Sequence, residues 1–427
     1  MTERPDRPLP ARQDQASATD TQGQPHARPL LFTPLTLRGV TSRNRIVVSP
    51  MCQYASADGC PTDWHLVHLG KFAMGGAGIV FGEETAVEAR GRKTHDCAGL
   101  WDDRQTSGHR RITDFLRGVG AVPAIQLGHC GRNAGTHGAM QNWRPLDDAD
   151  AREGRPPWRG VAPSPIPAGP GFLPPIEMDA DEIRRVIAAF RSAAARAVEA
   201  GYEICEIHGA HGYLIHQFLS PVTNRRRDSY GVSLAGRMRF AIEVVEAVRG
   251  VWPADKPLFF RVSAVDGKGG VWSLGDTLTL ARELRSRGVD VIDCSSGGIR
   301  DSTKMPLIPR VPGYQVVYAE KVRRDAGVMT MAVGLITEPA QAEHILQAGQ
   351  ADLVAMAREL MYNPNWPIHA ARALGAPDYW QAMPPAYAHR LGRRAEYPAL
   401  YPPGVAVEIP LSIEEKYPYS WPTSASR

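Results

Sequence analysis

Eight times along this chain a short apolar run gives way to a segment with helical spacing, and few folds accept that order. The runs lie at 45–49, 77–81, 121–127, 202–207, 257–262, 289–293, 328–333 and 352–355. They do not alternate strictly between apolar and polar residues, which is the pattern of strands whose sheet is covered by helices. The segments 64–74, 106–119, 183–200, 233–249, 274–287, 315–325, 338–347 and 365–374 read as those helices. Asp179 and Glu182 suit the N-terminus of the helix at 183–200, its Ala and Arg content favours helix, and Gly201 ends it. Eight strand–helix units in one chain favour a closed parallel barrel over an open sheet. The expected fold class is α/β, a (β/α)8 or TIM barrel.

In such a barrel the loops at the C-terminal strand ends build the site. Ser49-Pro50-Met51-Cys52-Gln53-Tyr54 follows the first run, Glu83-Glu84-Thr85 the second, and Gly128-His129-Cys130-Gly131-Arg132 the third. His208-Gly-Ala-His211-Gly-Tyr213 follows the fourth, so both histidines are expected just beyond its strand. They have three readings: structural histidines, metal ligands, or paired hydrogen-bond donors to a substrate anion. Zinc would require a third ligand, and the sequence nominates none. Tyr213 is placed to donate a proton.

Gln126 and Arg261 end the third and fifth runs. A charge directly after Leu258-Phe259-Phe260 needs either a partner near the core or an anionic, electron-rich ring to bind. Gly334 after the seventh run and Ala357-Arg358 after the eighth are where a phosphorylated ligand would be held by amides and a guanidinium. A capped helix with a surface arginine fits the same spacing. No GxGxxG motif follows a strand, so a dinucleotide-type cofactor half has no visible site.

Residues 1–29 are polar and rich in Pro and Gln, and read as a disordered or loosely attached arm. The barrel is expected over 30–375. The extension 376–427 carries too many Pro, Tyr and Trp residues to be plainly disordered, and is expected to pack on the barrel or on a partner subunit. The stretch 133–178 is too long for a mere connection, since structureless loops beyond about 15 residues are uncommon. It is expected to be a folded excursion, with room for a small hairpin, that covers the site.

Apolar residues make up 43% of the chain and charged ones 22%, which is a soluble, globular balance. A net charge of +4 spread over 427 residues argues against nucleic acid or an anionic membrane as the main partner. The six cysteines form no CxxC pair or cluster, so free thiols in a reducing compartment are expected and a metal site is not. The N-terminus lacks the apolar core of a secretory signal, and no apolar run is long enough to span a bilayer. These features together lead us to expect a cytoplasmic enzyme.

Six ordered motifs carry a resemblance: Ser49-Pro-Met-Cys-Gln-Tyr54, Gln126-Leu-Gly-His-Cys-Gly-Arg132, Glu206-Ile-His-Gly-Ala-His-Gly-Tyr213 with its continuation to Pro221, Val291-Ile-Asp-Cys-Ser-Ser-Gly297, Pro312-Gly-Tyr-Gln315 and Ala351 to Arg358. Together they resemble the Old Yellow Enzyme family, and are most similar to its bacterial, thermophilic-like class with a cysteine after Pro-Met. The resemblance implies a TIM barrel that holds FMN non-covalently. NADPH or NADH would reduce that FMN, which would then reduce an activated alkene such as an enone, quinone or nitroalkene.

Carried onto this chain, Ser49, Pro50, Met51 and Cys52 would run beside the flavin, with Cys52 tuning its potential. Gln126 would bond the pyrimidine side, Arg261 would sit by N1 and O2, and Ser296, Gly297, Gly334, Ala357 and Arg358 would hold the phosphate end. His208 and His211 would grip the substrate oxygen while hydride passes from flavin N5 to the β carbon. Tyr213 would protonate the α carbon, and Tyr54 would border the substrate space. A homodimer or homotetramer is implied, with Arg390 the nearest candidate for an arginine that reaches a neighbouring subunit's pocket.

The chain departs from the family pattern in several places. Glu84 and Cys130 stand where small residues are usual, Ala357 where glycine is common, and the segment 136–165 with Trp143 and Trp158 is inserted. At the flavin, Glu84 would turn away, pair with a base or lower the flavin potential. The same histidines would also serve a desaturase, or a reductase dedicated to a natural-product or acyl-CoA intermediate.

Overall fold

The computed structural model describes residues 28–267, 271–299 and 308–395. The expected N-terminal arm up to residue 27 and the tail from residue 396, with Tyr401 and Tyr419, lie outside the described residues.

Eight parallel strands close into a barrel: β1 (Ile46–Val48), β2 (Ile79–Ala86), β3 (Val122–Gly128), β4 (Ile204–Gly209), β5 (Leu258–Ser263), β6 (Val291–Ser295), β7 (Met329–Val333) and β8 (Leu353–Met356). Each strand pairs with its sequence neighbours, and β8 closes on β1. The surrounding helices are α1 (Asp63–Met74), α2 (Asp103–Gly118), α3 (Ala180–Glu199), α4 (Leu234–Arg249), α5 (Leu274–Ser286), α6 (Val316–Ala326), α7 (Pro339–Gln347) and α8 (Trp366–Ala373). Side chains from all eight strands, among them Val47, Phe81, Ala124, Ile204, Phe259, Val291, Met331 and Leu353, fill the barrel interior. A hairpin of Leu35–Leu37 and Val40–Ser42 packs Leu37 against that layer and closes the N-terminal end. Arg38 fixes the hairpin by ion pairing with Asp290 at 2.7 Å, so the other end is left for chemistry.

Three expectations need correction. Strand β2 does not end before Gly82 but continues to Ala86, with its register on β3 shifting between Phe81 and Glu84. A bulge of this kind re-aims side chains near sites, and it carries both glutamates inside, at 4% and 2% exposure. His208 lies within β4 rather than beyond it, while His211 does follow it.

The excursion holds no regular hairpin. It has a short helix, Asp148–Arg152, capped by Asp147, one antiparallel bridge between Thr136 and Pro145, and a two-residue parallel pairing of Val161–Ala162 with Ile176–Glu177. Pro163, Pro165, Pro167 and Pro170 explain the difference, because proline cannot donate to a ladder. Among the described residues, no helix is long and apolar enough to cross a membrane.

Candidate active site

A belt of buried polar side chains runs across the barrel just below its C-terminal mouth. Gln126 of β3 donates from Nε2 to Glu206 Oε1 of β4 at 2.8 Å. Arg261 of β5 places Nε 2.9 Å from Asp293 Oδ2 of β6. Burial pushes both carboxyl groups up, and the proximity of Asp293 pushes Glu206 well up, against the opposing pull of Arg261. Two carboxyls share one guanidinium, so Glu206 keeps its proton. Glu206 and Asp293 had no role assigned from sequence, although a carboxylate inside an apolar run is itself the signal that it has one.

His208 aligns with Arg261 across β4 and β5, and its ring centroid lies 5.1 Å from that of His211 and 4.8 Å from that of Tyr213. Burial, then His211 and Arg261, hold His208 well below the usual histidine range; burial and Arg261 do the same to His211. Both imidazoles are therefore neutral, each with one N–H. Burial also holds the Tyr213 phenol well above its ordinary value, so it stays protonated.

The turn that presents the second histidine is held from three sides. His211 has φ 59°, a left-handed conformation that costs a non-glycine residue about 1–3 kcal/mol. Its backbone N–H donates to Ser263 Oγ at 3.0 Å, and that hydroxyl donates to Gly297 O at 2.7 Å. Gly212 N–H donates to His216 Nδ1 at 2.9 Å, and His216 Nε2 is paired with Asp266 at 3.0 Å, both side chains fully buried. The role of His216 went unread, because the sequence offers no separation between it and the pair His208 and His211.

Gly298, at φ 106°, lets its own strand end approach this turn: a Cβ there would sit 2.3 Å from His211 Cα. Gly298→Ala is expected to destabilise the fold by about 3 kcal/mol or more, read as a lower denaturant midpoint. An unchanged midpoint would mean that the turn is not held in this way.

The mouth also gathers polar atoms that are buried without a hydrogen bond: Ser49 Oγ after β1, Glu84 Oε1 on β2, and Glu206 Oε2 and His208 Nδ1 on β4. Native proteins satisfy nearly all such groups, so a cluster of them around one opening is suited to a large polar ligand. Pro50 and Met51 lead from Ser49 to Cys52, whose thiol is pushed well up by burial and by Glu83.

On the far side, a Cβ on Gly297 would meet nothing closer than 3.7 Å, and Arg358 makes no bond to a described residue, so both remain available to a phosphate. Ser296 is instead engaged with Gln315 at 2.7 Å, and the space over Gly334 is filled by Tyr314 and Gln315. Ala357 has φ −119° and ψ −83°, which needs no glycine. Thus the donors and buried polar atoms gathered here fit FMN, while Ser296 and Gly334 both meet Gln315.

Tyr54 accepts from Trp143 Nε1 at 3.2 Å, which ties the excursion to the mouth. Lys93 Nζ hangs 5.0 Å from the Trp143 ring and 6.0 Å from the Tyr213 ring. Sequence reading missed Lys93. Glu84 and Cys130, two of the departures from the family pattern, meet here with Cys130 Sγ 4.0 Å from Glu84 Oε2. Arg390 lies elsewhere in its own chain, lining a cavity of about 500 Å³ with Arg372, Tyr379 and Tyr387. Among the described residues, no three His, Cys, Asp or Glu stand together as a metal site would need.

A closed barrel whose C-terminal mouth presents buried polar atoms without hydrogen bonds, two neutral histidines and a protonated tyrosine is built as a barrel enzyme that takes a polar ligand there. The chain belongs to the NADH:flavin oxidoreductase / NADH oxidase family, whose profile matches residues 30–376. It is 44% identical over 349 residues to a NADPH dehydrogenase of Geobacillus sp. (strain WCH70), covering 81% of this chain and 95% of that one. It is 41% identical over 348 residues to the NADPH dehydrogenase of Geobacillus thermodenitrificans (strain NG80-2), with the same coverage of 81% and 95%. Among solved structures, morphinone reductase superimposes with a TM-score of 0.66 at 25% identity, covering 81% of this chain and 90% of that one. The protein is therefore an NAD(P)H-dependent oxidoreductase of the Old Yellow Enzyme type, and its flavin is FMN.

Proposed function

We propose that this protein is an ene-reductase that saturates activated alkenes, such as enones, quinones and nitroalkenes, at the expense of NAD(P)H. The observation that carries the reading is the pair of neutral imidazoles with centroids 5.1 Å apart beside the Tyr213 ring. Two neutral N–H donors converging on one carbonyl or nitro oxygen withdraw electrons from the conjugated double bond and stabilise negative charge as it develops there. FMN, when bound, supplies hydride transfer, accepting from the nicotinamide and delivering to the β carbon. Tyr213 gives the matching proton to the α carbon, so one hydride and one proton are added as the double bond is lost. Arg261, with Asp293 behind it, keeps positive charge in the low-dielectric belt beneath.

The test is an anaerobic reduction of the purified protein with NADPH, followed by 2-cyclohexenone. Bleaching of the visible flavin band and its rapid return would support both halves of the reading. A protein that bleaches and then stays bleached would refute reduction of simple enones. It would favour the second reading, a desaturase or a reductase dedicated to a natural-product or acyl-CoA intermediate. The contact of Trp143 with Tyr54 and the placement of Lys93 favour such selectivity, because they narrow the mouth and put a cation over it. Arg390 stands outside its own chain's mouth, as an arginine serving a neighbouring subunit would. A homodimer or homotetramer measured by light scattering is the expected assembly.

A further inference from the structure

His208 and His211 can both donate to one oxygen only if each carries its proton on the nitrogen that faces that oxygen. A neutral imidazole has one N–H, and its position is set by whatever the other nitrogen bonds to. His211 has such a partner. Its Nε2 lies 2.7 Å from Ser295 Oγ, the last residue of β6, while Nδ1 makes no hydrogen bond to a described residue.

The direction of that bond follows from the groups around the serine. Gln315 Nε2 donates to Val333 O at 3.1 Å, which orients the amide so that Oε1 faces the two serines. Ser296 Oγ donates to that Oε1 at 2.7 Å, whereas Ser295 Oγ is 3.3 Å from it. A hydroxyl has one proton. With an imidazole nitrogen at 2.7 Å on one side and a carbonyl oxygen at 3.3 Å on the other, the shorter contact takes the proton.

Resting on the ene-reductase reading above, we propose that Ser295 is a positioning residue that donates to His211 Nε2 and so fixes the His211 proton on Nδ1, the nitrogen left for the substrate oxygen. Ser296 and Gln315 complete the relay by holding the competing acceptor. The turn fixed by Ser263 and Gly298 keeps the ring within reach. Without the Ser295 hydroxyl, His211 would be free to carry its proton on Nε2 and would present a lone pair to a carbonyl oxygen, turning an attraction into a repulsion.

The test reads the tautomer directly. In the FMN-loaded protein with 15N-labelled histidine, the His211 signals, assigned with His211→Ala, are expected to show protonated Nδ1 and unprotonated Nε2. In Ser295→Ala the Nδ1-protonated form should lose its dominance, and in Ser295→Thr, which keeps the hydroxyl, it should return. Affinity for a phenol, followed by its long-wavelength charge-transfer band, should fall about tenfold in Ser295→Ala and recover in Ser295→Thr.

Protonated Nε2 in the parent protein, or an alanine variant with unchanged tautomer and phenol affinity, would overturn the proposal. Should Ser295→Ala fail to fold, the parent and threonine spectra still decide it. A parent protein with the expected tautomer but no turnover of enones would refute the ene-reductase reading and leave the role of Ser295 in fixing the tautomer standing.

Discussion

Replacing His208 with alanine is expected to slow reoxidation of the reduced enzyme by 2-cyclohexenone by about 10²–10³-fold, the usual cost of removing one donor to a developing oxyanion. The effect should be large because His208 works where water is scarce: it is 3% exposed and stands beside Arg261 in register across β4 and β5. Its neutrality matters as much as its position. Burial, His211 and Arg261 all disfavour the imidazolium, so the ring donates without carrying a charge that would have to be desolvated. Phenol affinity should fall with the rate, since a phenolate oxygen would use the same donors.

The double variant with His211→Ala should cost less than the product of the two single losses, because a pair gripping one atom acts as a unit. Stopped-flow reoxidation and the phenol charge-transfer band would measure both quantities on protein whose FMN content is checked first. A variant that reoxidises at the parent rate would remove the histidine pair from the mechanism.

Much of this was legible in the chain, and the reason is physical. A parallel strand covered by helices must be short and apolar, so runs such as 328–333 announce strands without their neighbours, and β7 forms at Met329–Val333. The strand ends were equally readable where polarity breaks in abruptly, as at Arg261 after Phe260 or at the His208 to Tyr213 turn. What could not be read was pairing. Glu83 and Glu84 look alike in sequence, but alternate residues of a strand face opposite ways. Glu83 meets His65 Nε2 at 2.7 Å and Gln53 N–H at 3.0 Å, whereas Glu84 turns to Gly128 and Cys130. Lys93 and Asp293 were missed for the same reason, since each acts through a residue distant in sequence.

Among the described residues Glu84 has no base to pair with, and beside Gly128 and Cys130 it keeps its proton. Burial, and then the nearby Glu83, raise its carboxyl from 4.5 to about 8. Gly128 makes the space, since a Cβ there would lie 2.2 Å from Glu84 Oε1. An acid whose folded pKa is raised binds more protons in the folded state than in the unfolded one. Its burial is therefore tolerated below the unfolded pKa near 4.5, and stability is lost as pH climbs toward about 8. At 1.36 kcal/mol per pH unit, this one group should lower stability by about 3–4 kcal/mol between pH 5 and pH 8.

Glu84→Gln keeps the shape and the neutral polarity but cannot ionise, so it should be near parity with the parent at pH 5 and clearly more stable at pH 8. Paired urea midpoints at the two pH values, with FMN saturating in both proteins, isolate the effect, because Glu206 and Asp293 titrate alike in each. A gap between the two proteins that does not change with pH would show that Glu84 is already ionised in the folded chain. The neutral acid would then have to be replaced by a carboxylate stabilised by charge, with Lys93 the cation whose pull favours it.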